Sequence, residues 1–109
     1  MTDGRALYDE LTEALLGDPA MTRATMMGLP CVRRDGIFLA SWDKRSDHLV
    51  VKLPGERVTA LVESGVGLPF APGGKVFREW VALPDPDRAL WTDVLAEAVA
   101  FADSAPSRG

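Results

Sequence analysis

Cys31 and His48 are the residues of this chain best suited to covalent chemistry, and each is the single member of its type. A nucleophilic thiolate needs a neighbouring base and a third group that orients the base. A meander of strands could bring Cys31 and His48 together, but free cysteine usually packs as a small hydrophobic residue. The sequence therefore favours a non-enzymatic chain, and an enzyme using this pair is the least favoured alternative.

No ligand set for a metal or a nucleotide cofactor is apparent in the sequence. One Cys and one His without repeated spacing cannot form an ordinary structural zinc site, and Asp85 and Asp87 are better explained as helix capping. Gly73-Gly74-Lys75 superficially resembles a phosphate-binding loop, but Val76 stands where such a loop needs Ser or Thr. We expect no cofactor and no metal site.

Basic side chains in the middle of the chain are candidates for contacts with DNA. Residues 21–80 carry nine Lys or Arg against six Asp or Glu, whereas both flanking segments are acidic and the net charge is −4. Phosphate contacts give affinity without base specificity, so weak binding is the most that this balance favours. DNA binding would require six basic residues, which lie in predicted turns and at strand ends, to share one face of the molecule. They are Arg33, Arg34, Lys44, Arg45, Lys52 and Lys75. Solubilising loop charge is the alternative.

Trp42 and Trp80 are the candidates for a protein-interaction surface. Each lies near the end or on a face of an apolar element, and aromatic residues are enriched among the anchors of protein interfaces. Burial in the core is the alternative for both. Trp91 falls in the apolar stripe of a helix and is therefore expected to be buried.

A single α+β domain over residues 1–103 is expected to position these side chains, with residues 104–109 as a flexible tail. Apolar residues at helical spacing predict helices over 4–16 and 55–64, and a third helix that Asp85 caps. Strands are predicted at 31–33, 37–42, 48–53 and 76–83, with a loop or bulged strand in 65–75. The order α-β(3)-α-β(2)-α indicates an antiparallel sheet with helices packed on it.

Short motifs within residues 22–102 resemble the N-terminal domain of the TfoX (Sxy) competence regulators and the related YjbR/MmcQ proteins. They are Met26-Met27-Gly28, Asp35-Gly36 before an apolar strand, Leu49-Val50-Val51-Lys52, Leu68-Pro69-Phe70 and Trp80-Val81-Ala82-Leu83-Pro84. Met27 stands where the family has an aromatic residue, and Leu29 replaces its second glycine. The resemblance implies the fold order given above and a regulatory or DNA-associated role without catalytic residues.

Composition predicts a soluble cytoplasmic protein with no membrane contact. A hydrophobic content of 47% is too high for disorder, and no apolar run approaches the roughly 18 residues that a membrane span needs. The N-terminus lacks a secretory signal, and a single cysteine cannot form an internal disulfide. Because a sheet of this size has two edges, a two-fold homodimer is also expected.

These residues together predict a small regulatory protein that acts by binding a protein or, weakly, DNA. A protein-interaction or dimerisation module without nucleic-acid binding is the alternative. Convergence of the basic side chains on one face would favour DNA, and an exposed apolar patch would favour a protein partner.

Overall fold

The computed structural model describes residues 3–26 and 28–104, which form three helices and six strands. Helix α1 (Gly4–Leu15) precedes four strands: β1 (Met21–Met26), β2 (Leu29–Arg34), β3 (Ile37–Asp43) and β4 (His48–Lys52). Helix α2 (Gly55–Glu63) is followed by the two-residue β5 (Leu68–Pro69), a 3-10 turn (Pro72–Gly74), β6 (Trp80–Leu83) and helix α3 (Arg88–Ser104). The strands form one open antiparallel sheet in the order β1-β2-β3-β4-β6-β5.

The predicted α+β class is confirmed, but four strands rather than three precede α2. The additional strand is β1, which pairs residue by residue with β2 through a hairpin containing Gly28. A φ of +77° at Gly28 is a conformation that favours glycine. Met27 lies outside the described residues.

The helices and strands predicted before residue 65 match the observed bounds to within one or two residues, and larger differences occur at β6 and α3. Asp87, not Asp85, caps α3, because its carboxylate accepts a hydrogen bond from the Leu90 N–H at 3.1 Å. Strand β6 starts at Trp80 rather than at 76, because residues 78–79 form a turn in which the Trp80 N–H donates to the Phe77 carbonyl. Helix α3 extends to Ser104, and the other residues of the predicted tail, 105–109, lie outside the described ranges.

All three helices contribute to the core on one side of the sheet, which we call the helix face. The indole rings of Trp42 and Trp91 pack there with centroids 6.3 Å apart, and the Tyr8 ring lies 5.9 Å from that of Trp42. Register partners in four adjacent strands form a buried row beneath them: Val32, Ala40, Val51 and Val81. This layer is the main core, and burial of Trp91 is confirmed.

A β-bulge in β3 changes which side chains reach the other side of the sheet, the second face. The β2–β3 register shifts after Val32, which pairs with Ala40, whereas Arg33 pairs with Phe38. Leu39 has no register partner in β2 and is fully buried in the helix-face core. Because the extra residue reverses the alternation, Phe38 packs on the second face.

The segment 70–79 covers part of the second face. Phe70 packs there in a small cluster with Val50, Trp80 and Ala82. The Phe77 ring lies edge-on to Phe70 with 5.7 Å between centroids, and the Phe77 N–H donates to the Phe70 carbonyl at 2.9 Å. Residues 76–79 therefore fold over the sheet instead of extending β6.

Within the described ranges, no helix combines the length and the apolar character needed to cross a membrane.

Candidate functional site

The structure distributes the six basic candidates over separate places. Lys44 and Arg45 are exposed in the β3–β4 turn, and Lys75 is exposed in the segment 70–79. Arg34 belongs to the helix face, because its register partners Met21 and Ile37 pack in that core. Arg33 and Lys52 lie on the second face, as register partners of Phe38 and Trp80. The single cationic face that DNA binding requires is not formed by all six.

Arg34 is neutralised by two carboxylates. Its Nε lies 2.7 Å from Asp103 Oδ1, and its Nη1 lies 2.8 Å from Asp18 Oδ2. The hydrogen bond from Arg34, helped by one from the Ala20 N–H, holds the pKa of the Asp18 carboxyl below its ordinary value. Arg34 therefore joins the α1–β1 loop and the end of α3 to β2.

Substituting Arg34→Gln is expected to make the free energy of unfolding less dependent on pH in the acid range. A carboxyl whose pKa is lowered on folding stabilises the native state above its unfolded pKa, and this contribution is lost as pH falls through the folded pKa. Urea unfolding from pH 7 down to pH 2.5 should show wild type more stable at pH 7 and the difference shrinking below about pH 4. A difference that stays constant across this range would contradict the role of Asp18. The control Arg5→Gln removes an ion pair within one helix, between Arg5 and Asp9, and should have little effect.

Arg33 and Phe38 form a cation–π contact on the second face. The guanidinium carbon lies 5.7 Å from the ring centroid. The Nε atom of Arg33 is buried and has no hydrogen-bond partner among the described residues. Lys52 is half-buried on the same face beside Trp80. Two of the six basic candidates thus share this face with an aromatic ring.

Cys31 and His48 are not brought together. Cys31 pairs with Ser41 in β3, which pairs with Val50 in β4, whereas His48 lies two residues before Val50. Strand spacing and residue rise therefore separate the two Cα atoms by roughly 12 Å. Cys31 is 2% exposed, and burial raises the pKa of its thiol against the opposing effect of Arg33. The geometry gives no support to a Cys-His nucleophile.

The described part of the chain contains no cluster of metal ligands either. Over residues 3–26 and 28–104, no group of three or more His, Cys, Asp or Glu side chains is placed to hold an ion.

Trp80 borders a surface cavity formed by described residues, whereas Trp42 lies in the core. Trp42 is 2% exposed and belongs to the main core, so it is not available as an interface anchor. Trp80 is 8% exposed and lines an apolar groove of about 470 Å³ between α2 and the segment 70–79. The groove is also lined by Gly55, Val58, Thr59, Val62, Glu63, Pro69, Val76, Phe77 and Arg78.

Large apolar side chains are exposed beside this groove. Val76 lines it and is 57% exposed, while Leu68 and Val66, close in sequence to the lining residue Pro69, are 44% and 40% exposed. The sequence does not single out these three residues, because its pattern predicts a strand at Val76 and a loop or bulged strand at Val66 and Leu68. The signal available in the sequence was the position of Val66 and Leu68 among the glycines and prolines of residues 65–75, and of Val76 directly after them, since such residues are typical of surface loops.

Comparison with known proteins gives no relative: no family model, no curated protein and no solved structure matches this chain.

Proposed function

We propose that this chain is a non-enzymatic regulatory domain of the TfoX N-terminal/YjbR type that acts by binding another protein. The observation that carries this proposal is an apolar groove whose lining residue Val76 is exposed, with Leu68 and Val66 also exposed a few residues away in sequence. Contiguous exposed apolar surface is rare on monomeric proteins and marks interaction sites. The element order after β1, which is β-β-β-α-β-β-α, supports the assignment to this type.

The groove fits a short amphipathic segment of the partner. Its lining combines the apolar side chains of Val58, Val62 and Trp80 with the carboxylate of Glu63 and the guanidinium of Arg78. Charges of opposite sign in one groove favour a segment that presents apolar side chains between a basic and an acidic residue. A protein segment is proposed rather than a small molecule, because Val76, a large apolar side chain of the groove lining, is 57% exposed.

Binding of DNA is less well supported. Arg34 is already neutralised, Lys44 and Arg45 lie in a different part of the molecule from Arg33, and the net charge of −4 opposes long-range attraction. The second face, with Arg33, Phe38 and Lys52, is where nucleic acid would bind if this proposal is wrong.

Val76→Glu is expected to weaken binding of a partner segment at least tenfold. Peptides selected from a random display library against the wild-type chain should carry spaced apolar residues, and their Kd should be measured by titration calorimetry. The substitution places a charge in the groove without disturbing buried residues, because Val76 is 57% exposed. Tenfold corresponds to about 1.4 kcal/mol.

Thr92→Glu is the matched control, since it adds the same charge at an exposed position of α3 that does not line the groove. Circular dichroism should show both variants folded. Peptides that bind Val76→Glu as tightly as wild type would overturn the assignment of the groove. Duplex DNA that binds at low salt and is lost in Arg33→Glu but retained in Val76→Glu would transfer the function to the second face.

A further inference from the structure

The two edges of the sheet differ in their protection against pairing with another chain. Strand β5, at one edge, is two residues long and contains Pro69, which has no N–H to donate. Strand β1, at the other edge, has six residues without proline or glycine and pairs with β2 without a bulge. Its one charged residue, Arg23, is ion-paired with Glu13 of α1. Short length, proline and β-bulges are usual protections of an edge that β1 lacks, and the charge of Arg23 is offset by Glu13.

The hairpin hydrogen bonds identify the backbone groups that β1 presents outward. The Asp35 N–H donates to the Ala20 carbonyl at 2.9 Å, so this pair belongs to the hydrogen-bonded set of the antiparallel ladder. Hydrogen-bonded and non-hydrogen-bonded pairs alternate along such a ladder. In the register of β1 and β2, the backbone N–H and C=O groups of Thr22 and Ala24 therefore point toward β2. The backbone groups of Arg23 and Thr25 point away from β2.

Met21 agrees with this alternation, because its N–H donates to the Asp18 carbonyl instead of to β2. Within the described residues, the outward N–H and C=O of Arg23 and Thr25 make no backbone hydrogen bond. These two residues are thus free to pair with a further strand.

We propose that β1 pairs antiparallel with β1 of a second copy of this chain, about a two-fold axis at Ala24. Three registers use the outward residues. Arg23 opposite Arg23 places like charges across the ladder, which is destabilising, and Thr25 opposite Thr25 leaves a single hydrogen-bonded pair within β1. In the third register Arg23 of each copy lies opposite Thr25 of the other copy. These two pairs are related by the axis, and each exchanges two hydrogen bonds, which gives four in total.

This register makes Ala24 its own partner across the axis. Opposite residues of a non-hydrogen-bonded pair approach to about 4.5 Å between Cα atoms, which the small side chain of Ala24 permits. The two sheets then become continuous, with the helix faces on the same side. The inference is independent of the groove, which lies at the other end of the strand order.

Ala24→Cys in a Cys31→Ala background is expected to form a disulfide-linked dimer. The background change is needed because Cys31 is the β2 partner of Ala24. A Cα separation of about 4.5 Å falls within the range for disulfides. Under mild oxidation at micromolar concentration, non-reducing electrophoresis should show most of the variant as a dimer.

Thr22→Cys in the same background is the matched control, because it lies on the same strand and the same face. In the proposed register the two copies of residue 22 are about 14 Å apart, too far for a disulfide. Equal cross-linking of both variants would overturn the register.

A second measurement does not depend on cysteine. Thr25→Pro removes an outward N–H while leaving the ladder to β2 intact, whereas Thr25→Ala retains that N–H. Sedimentation should show wild type and Thr25→Ala as dimers and Thr25→Pro as a monomer at the same concentration. A wild-type monomer at high micromolar concentration, or a dimer that Val76→Glu abolishes, would overturn the proposal; the latter would place the dimer contact in the groove.

Discussion

Truncating Trp91 to alanine is expected to lower the free energy of unfolding by about 3–5 kcal/mol. Trp91 is fully buried at the centre of the helix face, where its indole packs against Trp42. Its removal leaves a cavity that the flanking α1 and α3 side chains cannot fill without moving the helices. Because small domains have a total stability of roughly 5–15 kcal/mol, Trp91→Ala should be largely unfolded or close to it.

Urea unfolding followed by far-ultraviolet circular dichroism measures this loss. Trp91→Phe is an informative comparison, because the indole Nε1 has no hydrogen-bond partner among the described residues and the change therefore removes volume without breaking a hydrogen bond. It should cost clearly less than Trp91→Ala. The exposed neighbour Thr92→Ala should stay within about 0.5 kcal/mol of wild type. A Trp91→Ala variant as stable as Thr92→Ala would contradict the described packing of α3.

The second large effect is expected at Gly67, where alanine should cost about 1–3 kcal/mol through overpacking. A Cβ at this position would lie 2.6 Å from Val81 Cγ2 and 3.4 Å from Leu61 Cβ. Val81 is fully buried and paired on both sides, with β4 and with β5, so it has little freedom to move away. The cost is therefore steric.

A double-mutant cycle separates this contact from other effects. Val81→Ala removes the clashing methyl group, so the double variant Gly67→Ala/Val81→Ala should be more stable than the sum of the two single losses allows. Gly17→Ala is the control, because its Cβ would meet the Ala14 carbonyl at an ordinary 3.5 Å. Additive losses in chemical denaturation would show that the Val81 contact does not limit this position.

Most of the helices and central strands could be predicted because the regular spacing of their apolar residues indicates which side chains are buried. Trp91, Leu95 and Ala98 recur at helical intervals and face the core as expected. Strand β1 could not be predicted in the same way, since an edge strand with exposed Thr22, Arg23 and Thr25 carries little apolar alternation. No local sequence pattern predicts the bulge at Leu39 either, because the bulge arises from the pairing of β3 with β2.

The candidate site was less predictable for a related reason. Arg33 and Arg34 are adjacent in sequence and are both among the six basic candidates, yet strand alternation places their side chains on opposite faces. The sequence alone could have shown this separation, because adjacent residues of a strand point to opposite faces. The exposure of Val76 and the position of Trp80 depend on how residues 70–79 fold over the sheet, and that path is set by tertiary contacts of Phe70 and Phe77.

Pro69 has a consequence for how far association through the sheet can proceed. A protein with two open sheet edges can add copy after copy and grow into a fibre. In this chain the β5 end is too short to template a new strand, and its proline lacks the N–H that a further ladder needs. Backbone-mediated growth therefore terminates after a single addition at β1, so the same sheet that can join two copies is protected against polymerisation.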